Sequence, residues 1–355
     1  MEINVNNFNT NSLLLNTINQ IKTNQTPIWL MRQAGRYLPE YQKLRKEAGS
    51  FLNLCLNPEL AKEITLQPIK RFNFDAAIVF SDILTIPMAC NRNLRFNEKK
   101  GPILNPIKKP EEILNLKITH YEYLEPIYKT LSLVKKDLEK DKTLIGFVGA
   151  PFTIALYMIE GRSSNNYKKS ILFFKENKEL FIKLLNKLEI MVANHIIKQI
   201  ESGAEVIQIF ESHAEIALKH YFTEFCINPV KNIITKVKKK YPNTPIIGFP
   251  RNAKEHYKNY AEVVNLDCIS IDQHVNINWA INNIKFPKNK KLCIQGNLNP
   301  NLLLKKEKEI IENINKILVT FSKTNHIFNL GHGVLKETPT DHIKLLVETI
   351  RNFKI

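Results

Sequence analysis

Short apolar runs that stop abruptly at polar residues recur along the chain, and stretches of helical periodicity separate most of them. The eight runs are Ile28–Met31, Ala76–Phe80, Leu144–Val148, Val206–Phe210, Ile246–Phe249, Cys268–Ile271, Leu292–Ile294 and His326–Leu330. Continuous apolar strands that alternate with helices predict a parallel sheet covered on both faces. Eight strands favour a (β/α)8 barrel of the TIM type over a doubly wound sheet, which usually carries a G-x-G-x-x-G turn after its first strand.

Three helices have clear sequence signals. The longest is predicted from Lys178 to Glu201, where apolar residues recur at i, i+3 and i+4. A second is predicted to begin near Asn57, with Pro58 at its first helical position. The last is predicted to begin at Thr338 as N-cap and Pro339 as first residue. These helices fit the spaces between predicted strands.

Composition places the chain among soluble globular proteins. Its 355 residues, 44% of them hydrophobic, can bury a large core, and we expect one domain over residues 1–355 because no linker or internal repeat interrupts the sequence. Basic residues exceed acidic ones by 51 to 34, a net charge of +17. A polyanionic partner is one explanation. Lysine runs such as Lys238–Lys240 and Lys288–Lys291 instead indicate a general lysine bias, and no nucleic-acid partner is expected.

Cysteine usage and the N-terminal sequence bear on location. The five cysteines are odd in number, widely spaced and without a C-x-x-C pair, which argues against a disulfide framework and a thiolate zinc site. The first twenty residues lack the pattern of a signal peptide. No apolar stretch is long enough to span a bilayer. We therefore expect a cytoplasmic protein with no membrane partner.

The chemistry of a parallel barrel lies at the carboxyl ends of its strands. The residues there are Arg32 and Arg36, Ser81-Asp82, Glu211-Ser212-His213, Pro250-Arg251, Asp272, Gln295-Gly296-Asn297 and Gly331-His332-Gly333. Several cations and few carboxylates suit a ligand that carries carboxylates or phosphates. H-E-x-x-H, G-x-S-x-G and Walker patterns do not occur. The pattern therefore predicts an anion-binding barrel enzyme without a metal or a nucleotide.

Longer motifs carry a resemblance to a known family. They are Trp29–Tyr37 (WLMRQAGRY), Phe80–Leu84, Gly146–Thr153 with Tyr157 and Glu160-Gly161, Phe210–Ala214, Gln295–Leu298 and Asn329–Gly333. In this order they resemble the uroporphyrinogen decarboxylase family, from about Thr26 to Phe353. The resemblance implies a single distorted (β/α)8 barrel and a homodimer with facing clefts. Residues 1–25 are then an N-terminal extension that packs on or near the barrel.

The resemblance also implies a reaction. Such an enzyme removes the four acetate carboxyls of uroporphyrinogen III to give coproporphyrinogen III and four CO2, in porphyrin and haem biosynthesis. It uses no cofactor. Most decarboxylases need an external electron sink, but a pyrrole ring protonated at the carbon bearing the acetate arm can accept the electrons itself. The protein must then stabilise a cationic ring, hold carboxylates and deliver protons.

The family motifs assign residues to the first two tasks. Asp82 is expected to accept hydrogen bonds from pyrrole N–H groups and to oppose the ring's charge; position alone would make it a helix N-cap. Arg32, Arg36 and Arg45 are expected to bind substrate carboxylates. Arg32 and Arg36 are four residues apart, so a helix or tight turn would point them the same way. The alternative for the arginines is a surface role, with bonds to carbonyls or to Glu40.

Proton delivery is assigned less sharply. Arg32 is a candidate donor, although a guanidinium holds its proton tightly. Tyr157 and Ser212 match family positions that orient a carboxylate or a water. His332 stands between two glycines that allow close backbone approach, and its imidazole serves chemistry or binding. Gln33 is a further substrate-binding candidate, and Asp82, Arg32, Tyr157 and His332 form the predicted catalytic set.

Four positions depart from the family pattern, and two other functions compete. Asn252, Gln273, Asn299 and Arg162 stand where glycine, tryptophan, aspartate and glycine are common, which puts local loop shape in doubt. One competing function is that of the related barrel methyltransferases that use zinc and corrinoid partners. The chain lacks the H-x-C pattern of their zinc ligands. The other is a non-enzymatic porphyrin- or polyanion-binding protein, suggested by the net charge of +17.

Overall fold

Seven parallel strands form the main sheet of the computed structural model, which describes residues 11–97, 101–218, 220–287 and 290–354. Together with a separate two-stranded pair, the described strands are β1 (Ala76–Ile78), β2 (Arg95–Asn97), β3 (Gly101–Ile103), β4 (Thr143–Gly149), β5 (Val206–Glu211), β6 (Ile246–Pro250), β7 (Cys268–Ser270), β8 (Cys293–Gln295) and β9 (Asn325–Ile327). β1 and β4 to β9 pair in chain order, and every pair is parallel. β2 and β3 form a separate antiparallel pair. The sheet thus follows the succession of predicted apolar runs.

An extended segment at residues 27–30 closes the sheet between its two edges. Ile28 forms a parallel bridge with Phe328, just beyond β9, and the Phe328 N–H donates to the Pro27 carbonyl at 2.8 Å. On the other edge, the Asp75 N–H donates to the Ile28 carbonyl at 2.9 Å. The segment is the irregular eighth strand position of the barrel. The predicted (β/α)8 barrel is therefore confirmed, with its distortion at the first strand.

Helices separate the strands and pack on the sheet. They are α1 (Leu13–Ile18), α2 (Pro39–Glu47), α3 (Phe51–Leu56), α4 (Pro58–Phe72), α5 (Thr85–Ala89), α6 (Pro110–Leu114), α7 (Glu125–Asp137), α8 (Pro151–Glu160), α9 (Lys168–Glu176), α10 (Lys178–Glu201), α11 (Asn228–Lys240), α12 (Tyr257–Val263), α13 (Ile277–Asn283), α14 (Glu307–Phe321) and α15 (Thr340–Asn352). A π-helix spans Phe222–Ile227, and 3-10 turns span Tyr121–Tyr123, Ala214–Ile216, Lys254–His256 and Pro300–Leu304. Within the described ranges, no helix is both long and apolar enough to cross a membrane.

Two of the three helix predictions hold to the residue. α10 spans the predicted residues, and the Asn57 side chain accepts hydrogen bonds from two N–H groups in the first turn of α4. The predicted start of the last helix is wrong by one residue. α15 begins at Thr340, Pro339 is its N-cap, and the Thr338 hydroxyl is buried without a hydrogen-bond partner. The fixed φ of Pro339 therefore precedes the helix instead of opening it.

The inside of the barrel is filled from its amino end by α1. Leu14, Leu15 and Ile18 are buried in one cluster with strand residues such as Ala76, Val206 and Cys293. The hydroxyls of Ser12 and Thr143, the first residue of β4, lie 2.5 Å apart. Residues 1–10 of the predicted extension lie outside the described residues. Since α1 covers the amino ends of the strands, the carboxyl ends are the side of the barrel left for a ligand.

Asp75 joins three parts of the chain where the barrel closes. Its Oδ2 accepts the Ile28 N–H at 2.6 Å, and its Oδ1 accepts from Arg351 Nη2 at 2.9 Å. Arg351 lies in α15 and also donates to the Asn73 carbonyl. The Asp75 carboxylate is almost fully buried, so these bonds replace its lost hydration. It holds the closing segment against β1 and the last helix.

Removing this carboxylate should loosen the closure. In the Asp75→Ala variant the Arg351 guanidinium and the Ile28 N–H lose their buried partner, and we expect the free energy of unfolding to fall by about 3 kcal/mol. Urea denaturation provides the measurement. The control is Glu348→Ala, which removes an exposed partner of Lys344 and should change stability by less than about 0.5 kcal/mol. Equal losses in the two variants would contradict this role of Asp75.

Candidate active site

Arg32 follows the closing segment in a tight turn. Its φ is 61°, in the left-handed region that side chains other than glycine adopt at a cost. The neighbouring Gln33 holds the turn: its Oε1 accepts the Leu30 N–H at 3.1 Å and its Nε2 donates to the Ala76 carbonyl at 2.9 Å. The Gln33 side chain is fully buried by these contacts. The side chain is therefore held within the barrel wall.

Two glycines let the backbone at His332 approach the rest of the rim. A Cβ on Gly333 would lie 2.3 Å from Cδ of Arg32, and one on Gly331 would lie 2.1 Å from the backbone nitrogen of Gln273. Neither distance leaves room for a side chain. The glycines thus bring the Arg32 guanidinium stem directly against the His332 loop, although the two residues are 300 positions apart in sequence.

Asp82 follows β1 and is not the N-cap of α5, a position that Leu84 occupies. Its Oδ1 accepts the Leu84 N–H at 2.8 Å, a local turn just before α5. No described residue donates a hydrogen bond to Oδ2, which leaves that oxygen for a ligand. Burial raises the pKa of Asp82 to about 6, while the Leu84 N–H and the charge of Arg32 oppose the rise. The carboxylate is therefore mostly ionised at neutral pH.

Tyr157 is placed by a bond between α8 and the end of β5. The Thr153 hydroxyl donates to the buried Glu211 carboxyl and accepts the Ser212 N–H at 2.8 Å. Tyr157 stands one turn further along α8, within electrostatic range of Asp82. Burial raises the pKa of the Tyr157 hydroxyl, so it stays protonated at neutral pH. The same bonds bring Ser212 to the rim.

Arg251 is a cleft residue that the predicted site did not include. It follows β6, where its N–H donates to the Glu211 carbonyl at 3.0 Å and its Nε to the Ser212 carbonyl at 3.1 Å. Its charge acts on both Arg32 and His332. The signal was present in the sequence, since Arg251 stands at a strand end as Arg32 does. It was placed on the rim from sequence but was assigned no role.

The protonation states of Arg32 and His332 reflect this crowding. The Arg32 side chain is open to water from the cleft, but the surrounding protein removes much of its hydration. This burial is the largest cause that lowers the pKa of Arg32, and the charge of Arg251 is the second. Burial, with Arg32 and Arg251, also lowers the pKa of His332 to about 4. The imidazole is therefore neutral near neutral pH until an anion enters the cleft.

Arg36 and Arg45 flank this group. Arg36 is exposed and acts electrostatically on Arg32. Arg45 lies half-buried on α2. Its charge and that of Asp82 both act on the buried Cys55. The alternative bond from the arginines to Glu40 is not formed, because Glu40 pairs with Arg71 at 2.7 Å. Neither arginine forms an ion pair with a carboxylate among the described residues.

The cleft cations have no carboxylate partner within the described parts of the chain. None of four arginines forms an ion pair there, namely Arg32, Arg36, Arg45 and Arg251, whereas Arg71, Arg92 and Arg351 each do. Charges brought together without counter-ions repel one another, most strongly where water is excluded. The arrangement is therefore complementary to a ligand with several carboxylates.

The comparisons with known proteins identify the family. A family model described as "Uroporphyrinogen decarboxylase (URO-D)" matches residues 9–353. The chain belongs to the uroporphyrinogen decarboxylase family. Among curated relatives, the "Uroporphyrinogen decarboxylase" of Rickettsia conorii is 43% identical over 343 residues, 95% of this chain and 96% of the relative. That of Rhodobacter capsulatus is 40% identical over 327 residues, 92% of this chain and 94% of the relative.

Solved structures support the fold alone. A methyltransferase from Methanosarcina mazei superposes with a TM-score of 0.78 at 15% identity, covering 96% of this chain and 97% of the other. A B12-independent methionine synthase from Shewanella gives a TM-score of 0.53 at 11% identity, covering 93% and 98%. Across the described ranges of this family member, no three His, Cys, Asp or Glu side chains lie together as a metal site would require.

One departure from the usual family pattern has a structural explanation. Asn252 replaces a common glycine and has a φ of 61°, a conformation that suits glycine and that asparagine tolerates. Its N–H donates to Asp272 Oδ2 at 2.8 Å, and Tyr257 donates to the same oxygen at 2.9 Å. Asp272 therefore fixes the loops after β6 and β7. The loop shape survives the substitution, and this rim carboxylate serves structure.

The raised pKa of Asp82 predicts a pH-dependent stability difference. Because the pKa of about 6 exceeds the ordinary 3.8, the favourable neutral form is lost as the pH rises through about 6. Asp82→Asn keeps the shape without the charge. We expect this variant to gain about 1–3 kcal/mol over the wild type between pH 4 and pH 7. Urea denaturation across this range tests it, with exposed Glu348→Gln as control. A gain that is equal at both pH values would contradict burial of an ionised Asp82.

Proposed function

We propose that the chain is a carboxy-lyase that converts uroporphyrinogen III to coproporphyrinogen III and four CO2, in the biosynthesis of porphyrin and haem. The observation that carries the proposal is the Asp82 carboxylate at a cleft whose four arginines form no ion pair with a described carboxylate. A substrate with eight carboxylates around pyrrole N–H groups matches both features. The family and its relatives support the same activity.

The reaction uses the substrate's own ring as electron sink. A proton adds to the ring carbon that bears an acetate arm, and the pyrrole becomes a cation. The bond between the methylene and the carboxylate then breaks, CO2 leaves, and the electron pair neutralises the ring. A proton adds to the exocyclic carbon, and loss of the ring proton restores the pyrrole with a methyl group. Each cycle consumes one proton in all, and no cofactor takes part.

We assign Asp82 to the ring and the arginines to the arms. Oδ2 of Asp82 accepts pyrrole N–H groups and opposes the cationic ring, and it is ionised at neutral pH because its pKa is about 6. Arg32, Arg36 and Arg45 hold carboxylates of the arms. Asp82 thus stabilises charge that develops during the reaction, while the arginines mainly bind the ground state.

Proton transfer and orientation fall to the residues packed around Arg32. Burial and the charge of Arg251 lower the pKa of Arg32, so its proton is more available than that of an exposed guanidinium. Tyr157 and Ser212 orient a carboxylate or a water beside it. His332 is neutral in the empty cleft, and a bound carboxylate would raise its pKa and favour its charged form. We propose Arg32, Tyr157 and His332 as the proton-handling residues.

Assembly and location complete the proposal. Residues 1–355 form one domain, and two copies form a homodimer whose clefts face each other, as the family resemblance implies. We propose a reducing compartment, the cytoplasm, and no nucleic-acid or membrane partner. All five cysteines are buried and free of disulfides, which supports this location.

The activity is tested by anaerobic incubation of the purified protein with uroporphyrinogen III. We expect products with seven to four carboxylates, separated by chromatography after oxidation to porphyrins. Asp82→Ala should lower kcat by about 100-fold or more, because the cationic ring loses its opposing charge. Asp341→Ala, at an exposed position in α15, should retain wild-type activity. Wild-type protein that removes no carboxylate would overturn the proposed function.

Arg251 should act as a further carboxylate-binding residue. Arg251→Met keeps most of the side-chain stem and removes the guanidinium. Loss of a charged hydrogen bond should raise KM by about 10-fold or more, with a smaller change in kcat, because the bond forms with substrate and transition state alike. Arg71→Met, which removes a guanidinium paired with Glu40, is the control. A KM within twofold of the wild type would exclude Arg251 from substrate binding.

A further inference from the structure

Tyr157 touches a second set of groups behind the cleft. Its ring centroid lies 6.5 Å from that of Tyr167 and 5.7 Å from that of His213. The Tyr157 hydroxyl interacts with those of Tyr167 and Ser163. The Tyr167 hydroxyl is hydrogen-bonded to His213 Nε2 at 2.8 Å. Tyr167 is 1% exposed and the His213 side chain 12%, so this pair lies within the protein.

The chain of polar groups continues to a cavity. Nδ1 of His213 lies 3.6 Å from the Glu215 carboxylate. Burial raises the pKa of Glu215, but His213, the local backbone and Arg251 together outweigh burial and lower the pKa overall. Glu215 is 33% exposed and lines a cavity of about 560 Å³ formed by the segments after β5, β6 and β7, with Lys254 and Asp272 among the other walls. Arg251 also acts on Glu215 from the cleft side.

We propose that Glu215, His213 and Tyr167 form a path that resupplies protons to Tyr157 from this cavity. The proposal rests on the proposed function and extends it with the route by which protons reach the site. Glu215 lies beside His213 at the cavity end, and Tyr167 joins His213 to Tyr157. The three residues act through Tyr157 and do not touch the substrate.

The reaction gives such a path a purpose. One proton is consumed for each CO2, hence four for each substrate. A large substrate that lies in the cleft, with its carboxylates on the arginines, excludes bulk water from the reacting arm. A path that opens behind Tyr157 can deliver protons while the cleft is occupied.

The transfer balances without a co-reactant. His213 begins with a proton on Nε2 and takes a second from the cavity at Nδ1. The Nε2 proton passes to the oxygen of Tyr167, whose own proton passes to Tyr157, and Tyr157 releases its proton into the cleft. One proton enters and one leaves. Rotation of the hydroxyls and a tautomer change of His213 restore the first state.

The fold supplies a matched control for this path. Tyr128 on α7 is hydrogen-bonded to His195 Nδ1 on α10, also at 2.8 Å. This pair joins two helices and is not near the cleft residues. Tyr128→Phe and Tyr167→Phe therefore each remove one hydroxyl from a tyrosine–histidine bond and keep the ring, but only the second interrupts the proposed path.

The experiment compares these two variants in turnover of uroporphyrinogen III. We expect Tyr167→Phe to lower kcat by about 10-fold, with KM within twofold of the wild type, because proton delivery acts on turnover and not on binding. The solvent deuterium isotope effect on kcat should increase. Added 4-methylimidazole, a small diffusible acid, should restore much of the rate. Tyr128→Phe should match the wild type in all three measurements.

Three outcomes would overturn the path. If Tyr167→Phe has the same kcat and isotope effect as Tyr128→Phe, protons reach the site without Tyr167. A loss of kcat that 4-methylimidazole does not restore would assign Tyr167 a structural role. Inactive wild-type protein would overturn the proposed function and the path together. The first two outcomes overturn the path alone, since they require an active wild type.

Discussion

The closure of the barrel by residues 27–30 is the constraint on which the candidate site depends. The segment bonds to Phe328 on one edge of the sheet and to Asp75 on the other. It leads directly into the turn that carries Arg32, and the strand that it pairs with leads into the loop of His332. Closure therefore brings the first and last parts of the barrel into contact. Without it, Arg32 and His332 would stand on opposite edges of an open sheet.

The cost of the site lies in charge and backbone strain. Arg32 combines a positive φ, a neighbouring guanidinium and partial loss of hydration, each of which is unfavourable alone. The surrounding wall fixes this arrangement through fully bonded groups, of which the Gln33 amide is the clearest example. A substrate carboxylate relieves the repulsion between guanidiniums. The free energy of this repulsion therefore contributes to the binding of an anion.

The apolar runs predicted the barrel well because a parallel strand that is buried on both faces consists of continuous apolar residues, which the sequence shows directly. All eight runs occupy positions in the closed sheet. The site was less accessible to such reasoning. The strand ends included Arg32, Asp82, His332 and Arg251 alike. Periodicity does not show which of these side chains meet, so Arg251 was assigned no role. Gln33 was assigned a role from sequence, but only the fold shows that its side-chain amide is enclosed in the barrel wall.

Burial raises the pKa of Asp82 and lowers that of His332. The result suits a substrate with anionic arms whose ring becomes positively charged during the reaction. Loss of hydration favours the neutral form of each, yet Asp82 with a pKa of about 6 remains mostly charged at neutral pH, and His332 with a pKa of about 4 is neutral. On the proposed assignment, the Asp82 carboxylate faces the ring and the guanidiniums bind the arms. The substrate carboxylates would then raise the pKa of His332 and of Arg32 and so favour the protonated form of each.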